Sequence, residues 1–479
     1  MSFMTATIEA LRERYGDRHK WLVLLTVMIG TMASILSSTI VNVAIPDLSR
    51  HFHLGQERAQ WVSSGFMLAM TLSMLTTPWL LLRFGLRRTY TVAILALLTG
   101  GVLGGFSINY SMLLSMRVLE GLASGILQPI PAIVILRAFD LKEQGKALGI
   151  FGFGVVLAPA IGPSVGGVLV EQFGWQSIFF VVVPFCLLVL FLIRRYLSTN
   201  SPLMGEARRF DWRGLLLAGT CTVTVLNGLV HLHDDRSLAA ILLTVALLSF
   251  IGFIAWQSRT DAPLMNLKLF GYRQFAMGGL VAFIYGMGLF GSTYLLPVYL
   301  QMALAYSPSR AGLVLLPAGI VLAITIPLAG KMADKYPPNV LVSIGLALLA
   351  LSFGLMALGQ PGGSYLLLMA WAVIGRVGLG FVLPALSLGA MRGVDHGLIA
   401  QGASTLNFLR QLGGAIGVSL VGIVLEWRLA IHRGGSGIAA DAEANRIQAF
   451  DETFLFVAVL CAIAVAAAWR MRPATGTSL

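Results

Sequence analysis

Apolar residues in this chain come in blocks of about twenty, and charged or turn-forming residues gather in the short segments between them. About twenty helical residues cross the hydrocarbon layer of a bilayer. A helix also satisfies its own backbone polar groups there. The pattern predicts fourteen helices, at 21–45, 59–81, 89–107, 110–135, 146–169, 175–195, 212–232, 237–257, 274–299, 309–332, 338–358, 364–390, 398–426 and 453–470. The alternating ten-residue segments of a membrane β-barrel do not occur. The expected fold class is an all-α integral membrane protein.

Composition agrees. Of 479 residues, 57% are hydrophobic and only 11% charged, with a mean hydropathy of +0.83. Soluble domains carry about a quarter charged residues, and disordered chains lack this much apolar content. The net charge of +12 does not point to nucleic acid, because the basic residues are dispersed among short loops. With the N-terminus inside, 23 of the 33 Lys and Arg fall in inside segments and 7 outside; Arg117, Arg376 and Arg410 lie within spans. That bias predicts an even span count with both termini cytoplasmic. Cys186, Cys221 and Cys461 all lie in apolar blocks, which argues against a disulfide framework or a zinc site. The His231-Leu-His-Asp-Asp235 run has metal-ligand residue types but reads as a hydrated loop, so no metal is expected.

The order of blocks predicts a cytoplasmic segment at 1–20, a six-helix bundle at 21–195 and a loop with two inserted helices at 196–260. A second six-helix bundle follows at 261–470, with an extracytoplasmic excursion at about 427–452, and then a tail at 471–479. A weak repeat supports two halves. Pro78-Trp-Leu-Leu-Leu-Arg-Phe-Gly85 resembles Gly330-Lys-Met-Ala-Asp-Lys-Tyr336, and Gly125-Ile-Leu-Gln-Pro129 resembles Gly380-Phe-Val-Leu-Pro384 at nearly the same offset. Repeated halves around a midplane site are the usual build of a secondary transporter.

Several motifs then carry a family resemblance. Thr39-Ile-Val-Asn-Val-Ala-Ile-Pro46 lies in span 1, Arg117-Val-Leu-Glu-Gly121 in span 4 and Gly162-Pro-Ser-Val-Gly-Gly167 in span 5. Asp261-Ala-Pro-Leu-Met-Asn-Leu267, Leu296-Pro-Val-Tyr-Leu-Gln301 and Asn407-Phe-Leu-Arg-Gln-Leu-Gly-Gly414 follow in order. Together they resemble the fourteen-span drug/proton antiporters of the EmrB/QacA type in the major facilitator superfamily. The resemblance implies alternating access, export of hydrophobic or amphiphilic compounds, a proton gradient as energy source and no cofactor. It implies a bacterial inner-membrane location and allows a periplasmic adaptor with an outer-membrane channel.

Intramembrane charge is the sharpest feature, since each unpaired charge at the bilayer centre costs at least about 2.5 kcal/mol. Arg117 and Glu120 are three apart and share a face of span 4 near the midplane. Desolvation and the Arg117 charge act on the Glu120 proton in opposite senses, so the pair is the candidate for proton coupling; a static ion pair is the alternative. Two departures bear on this. Leu36-Ser-Ser-Thr39 places Ser37 where the resemblance expects an acid, and Glu120 stands where it expects Gln. The carboxylate has in effect moved from span 1 to span 4. A facilitator, or an exporter with altered coupling, is the rival reading.

Candidate cavity residues are Ser37, Asn42, Gln128, Tyr285, Tyr294, Arg376, Asn407 and Arg410. Three deep arginines against one deep carboxylate would favour anionic or neutral amphiphiles. Gly162, Gly166 and Gly167 allow close helix approach, and Pro163 permits a bend; these form the candidate hinge. Arg83, Gly85, Gly330, Asp334 and Lys335 form the candidate cytoplasmic gate, with Leu82 replacing the acid in the first copy. No H-E-x-x-H or G-x-S-x-G motif occurs, which argues against an intramembrane enzyme.

Overall fold

The computed structural model describes residues 8–198, 209–232, 235–359, 364–433 and 439–472. Residues 1–7 of the N-terminal segment, Arg208 with most of its loop, His233, Asp234 and residues 473–479 of the tail lie outside them. Every described element is helical. After a short α1 (Ile8–Tyr15), the first bundle comprises α2 (Arg18–His51), α3 (Gln56–Ser73), α4 (Thr77–Gly105) and α5 (Tyr110–Leu127). It continues with α6 (Ile130–Ala138), α7 (Gln144–Phe173), α8 (Ser177–Phe180) and α9 (Val182–Tyr196). An inserted pair follows, α10 (Trp212–Val230) and α11 (Arg236–Gln257). The second bundle comprises α12 (Arg273–Val298), α13 (Pro308–Ala333), α14 (Pro338–Ala357), α15 (Tyr365–Met391), α16 (Ile399–Arg433) and α17 (Ala439–Trp469).

Twelve segments among the described residues are long and apolar enough to cross a membrane. The chain is a multi-pass membrane protein. One of the twelve, Arg58–Gly105, runs 48 residues and breaks at Gly85, with φ 74° and ψ 169°. A Cβ disfavours that region, and glycine has none. Thr89 Oγ1 donates to the Leu80 carbonyl across the bend at 3.0 Å. The 30-residue α7 is a further apolar helix.

Within the first bundle α2 packs on α7, and α5 on α3 and α4; within the second, α12 packs on α16 and α15 on α13 and α14. The bundles join chiefly through α7 against α13. That join lies toward the end of the molecule holding Arg137, Lys142, Lys331 and Lys335, termed here the basic end. A Cβ on Gly149 would stand 3.0 Å from Pro327 Cα and 3.1 Å from Gly330 Cα, so the two backbones touch only because these positions are glycine. Gly152 continues the contact against Ile326 and Leu383.

The inserted pair sits on the flank where the bundles meet. Leu264 and Met265, after α11, pack in one cluster with Leu75 of the first bundle and Phe408 of the second. Asp211 fixes the pair: it accepts from Gly214 N (2.8 Å), Trp256 Nε1 (2.7 Å) and Gln257 Nε2 (2.7 Å).

The expected extracytoplasmic excursion at about 427–452 is helical at both ends, and 434–438 lie outside the described residues. Helix α16 continues to Arg433, and α17 begins at Ala439. The charged residues that suggested a loop bridge the two helices instead. Arg428 Nε lies 3.2 Å and His432 Nε2 3.3 Å from Glu452 Oε2, and Asn445 Nδ2 donates to the His432 carbonyl at 3.1 Å. Ala, Glu and Arg are also good helix formers.

Candidate functional site

Two polar clusters lie near mid-helix, one in each bundle. The first joins three residues singled out from the sequence. Glu120 is ten residues from the N-terminal end of α5, about 15 Å along its axis. Arg117, one turn earlier, points the same way. Arg117 Nη1 contacts Glu120 Oε2 at 2.6 Å and donates to Ser37 Oγ at 3.0 Å. Ser37 Oγ donates to Glu120 Oε1 at 3.2 Å. Arg117 Nε donates to the Val62 carbonyl at 3.2 Å, and the guanidinium lies 4.3 Å from the centre of the Phe66 ring. Both members of the ion pair are fully buried, at 0% exposure. One donor, Arg117 Nη2, is buried without a partner.

The cluster fits because α4 gives it room. A Cβ on Gly100 would stand 2.5 Å from Glu120 Cγ, and one on Gly101 3.6 Å from Glu120 Oε1. Gly121 and Gly125 open the other face of α5 to the α3 backbone. The carboxylate therefore sits among α2, α4 and α5, inside its own bundle. Removing either partner would leave a buried unpaired charge, at a cost of about 3–5 kcal/mol.

The second cluster is of another kind. Tyr285 is buried on α12, and its hydroxyl donates to the Leu379 carbonyl at 3.3 Å. Arg376 of α15 and Arg410 of α16 both interact electrostatically with it. Arg410 Nη2 donates to Asn407 Oδ1 at 2.8 Å, and Asn407 Nδ2 donates to the Ala403 carbonyl at 2.9 Å. Both arginines and Asn407 are only half-buried. Gly286 lets α12 meet the Arg410 backbone directly, which sets Tyr285 beside it.

The other candidates lie apart from these clusters. Asn42 is exposed and accepts from Ser63 Oγ at 2.7 Å. Gln128 is half-buried beyond the end of α5, and Tyr294 is 39% exposed toward the far end of α12. Gly162 and Gly166 face α2, meeting Thr39 and Ile40, with Gly167 near Val43. The candidate hinge of Gly162, Gly166 and Gly167 thus packs within its own bundle; the side chain of Pro163 lies outside what is described. The glycines that meet the other bundle are Gly145, Gly149 and Gly152. Sequence reasoning passed over them, although their i, i+4, i+7 spacing marks one helix face.

At the gate, Asp334 caps α7. Its Oδ1 accepts from Gly145 N at 2.6 Å and its Oδ2 from Lys146 N at 2.8 Å. A carboxylate at a helix N-terminus satisfies orphan donors and opposes the helix dipole. Burial nevertheless raises the Asp334 carboxyl above its ordinary value, while these two donors hold it down. Gly330 meets Gly145 and Gly149 closely. Arg83 and Lys335 are exposed and Gly85 forms the bend, so the latch contact belongs to Gly330 and Asp334 alone among the five. The bundles also join where Arg137 Nη2 donates to the His396 carbonyl at 3.2 Å. The three cysteines are free, and no group of metal-ligating side chains forms among the described residues.

Residues 27–418 match the family model described as Major Facilitator Superfamily. The chain is 30% identical over 426 residues to a "Multidrug resistance protein B homolog" of Mycobacterium tuberculosis (strain ATCC 25618 / H37Rv), covering 86% of this chain and 78% of that protein. It is 29% identical over 403 residues to the "Riboflavin transporter RibZ" of Clostridioides difficile (strain 630), covering 84% and 87%. Among solved structures, the human organic anion transporter MFSD10 superposes with a TM-score of 0.66 at 17% identity, over 92% of this chain and 99% of that one. At that identity the likeness concerns the fold alone.

Proposed function

The chain belongs to the major facilitator superfamily, and we propose that it is a proton-driven exporter of hydrophobic and amphiphilic small molecules, of the fourteen-span EmrB/QacA type. Counting Arg58–Gly105 as two spans about Gly85, and adding α7, gives fourteen. The positive-inside rule puts the basic end, and with it both termini, in the cytoplasm. The membrane in this reading is a bacterial inner membrane. The bundles meet at the basic end, and in this reading opening that join while closing the far end completes the cycle.

The single observation that carries the proton role is the sealed cluster of Ser37, Arg117 and Glu120. A carboxylate held at mid-membrane by one guanidinium can exchange that contact for a proton when the bundle rearranges. Ser37 bonds both partners, so the carboxylate of Glu120 fills the space that an acid on α2 would occupy. A facilitator without proton coupling is the second reading. It is favoured by the position of Glu120 against Gly100 and Gly101, inside its own bundle. Efflux of a lipophilic dye from cells, with and without collapse of the proton gradient, separates the two. Gradient-independent flux would support the facilitator.

A further inference from the structure

The two clusters differ in charge balance. Arg117 has Glu120; among the described residues neither Arg376 nor Arg410 has an ion-pair partner. Arginine does not lose its proton, so both charges persist. Arg376 lies eleven residues from the start of α15, Arg410 eleven from the start of α16, and Tyr285 twelve from the start of α12. At about 1.5 Å per residue, all three are roughly 16–18 Å from those helix ends. Arginines that are only partly exposed at that depth border either lipid or the space between the bundles.

Helix geometry selects the second. Arg376 shares a face with Gly380 and Leu383. Gly380 packs on Thr325 of α13, and Leu383 approaches Gly152 of the first bundle. The Arg410 turn packs on α12 through Gly286, and α16 also touches α3, α4 and α6 across the join. Asn407 turns its oxygen toward Arg410 and its nitrogen to its own helix, which holds the guanidinium in place. Phe283 and Phe290, both half-buried on α12, supply apolar surface beside it.

We infer that Arg376 and Arg410 form an anion subsite for the acidic group of an otherwise apolar substrate, one bearing a carboxylate, sulfonate or phosphate monoester. Guanidinium groups bind such oxygens through paired charge-assisted hydrogen bonds. The site lacks a carboxylate that would compete for them or attract a lipophilic cation. This rests on the transport reading and specifies its substrate class.

The test compares dansylic acid, a fluorescent aryl sulfonate, with dansyl amide, its neutral isostere, binding to purified full-length protein in nanodiscs. Wild type should bind the sulfonate about tenfold or more tightly than the amide, as one or two charge-assisted hydrogen bonds provide. Arg376→Gln and Arg410→Gln should each erase most of that preference by weakening the sulfonate far more than the amide, and a wild-type-like thermal transition reports that the variants fold. Equal binding of the two dyes, no binding of the sulfonate, or a preference that survives both substitutions overturns the subsite. Uptake of the bound dye into everted vesicles is scored separately. Binding with the expected preference but no uptake would count against the transport reading and leave the subsite standing.

Discussion

The two bundles bury charge in opposite ways. In the first, a cation and an anion neutralise each other at 0% exposure, and a serine bonds both. In the second, two partly buried cations lie beside a buried tyrosine, and Arg410 donates to an asparagine oxygen. The first arrangement suits a proton or a permanent strut, because little else fits into it. The second suits a ligand, because two cations without a carboxylate partner among the described residues can accept one. In the proposed reading, the first bundle handles the proton and the second the substrate.

The strongest way to break the comparison is to remove one arginine from each side. Arg117→Met leaves Glu120 buried and alone, and should cost about 3–5 kcal/mol. Arg410→Met removes an unpaired cation and should cost less than about 1 kcal/mol. Thermal unfolding in one detergent checks both, and equal losses would erase the distinction. Next, the carboxylate can be moved back. Glu120→Gln should lose gradient-driven efflux, and Ser37→Asp added to Glu120→Gln should regain part of it, since Ser37 Oγ lies 3.2 Å from Glu120 Oε1. Efflux rates in the single and double variants decide this.

Smaller effects concern the gate. Gly149→Val would force its side chain into the Pro327 and Gly330 backbones. Overpacking of this kind costs about 1–3 kcal/mol, so the basic end should open. Spin labels at exposed Lys142 and Lys331, in a background without the three cysteines, should report a longer distance. Asp334→Ala should weaken the α7 cap by about 0.5–2 kcal/mol. Its pH dependence has a defined sign. The Asp334 carboxyl is raised in the closed join relative to an exposed carboxyl. Its contribution to closure is therefore full below the ordinary value and lost as pH rises through the raised one. Acid should shorten the label distance in wild type and leave it unchanged in Asp334→Asn.

Much of this was legible in the chain. Blocks of twenty apolar residues locate the helices, and the Arg117–Glu120 spacing alone places both on one face. The structure places Asp334, one of the residues singled out by that motif, at the N-terminus of α7. What the sequence hid depends on partners distant in the chain. Nothing near Gly100 says that it makes room for Glu120, and nothing near Gly145 says that Asp334 of the other bundle caps it. The segment at 427–452 misled because its charges read as solvated; Arg428 and Glu452 meet only once α16 and α17 lie side by side. The apolar pattern already separates helices at 59–81 and 89–107; what it does not show is that Gly85 makes the turn between them.

The most direct measurement is proton release from detergent-solubilised protein on adding a transported substrate, with wild type beside Glu120→Gln. Release from wild type that vanishes in Glu120→Gln is the predicted result. Release that persists in Glu120→Gln would contradict the assignment of the coupling proton to the sealed cluster.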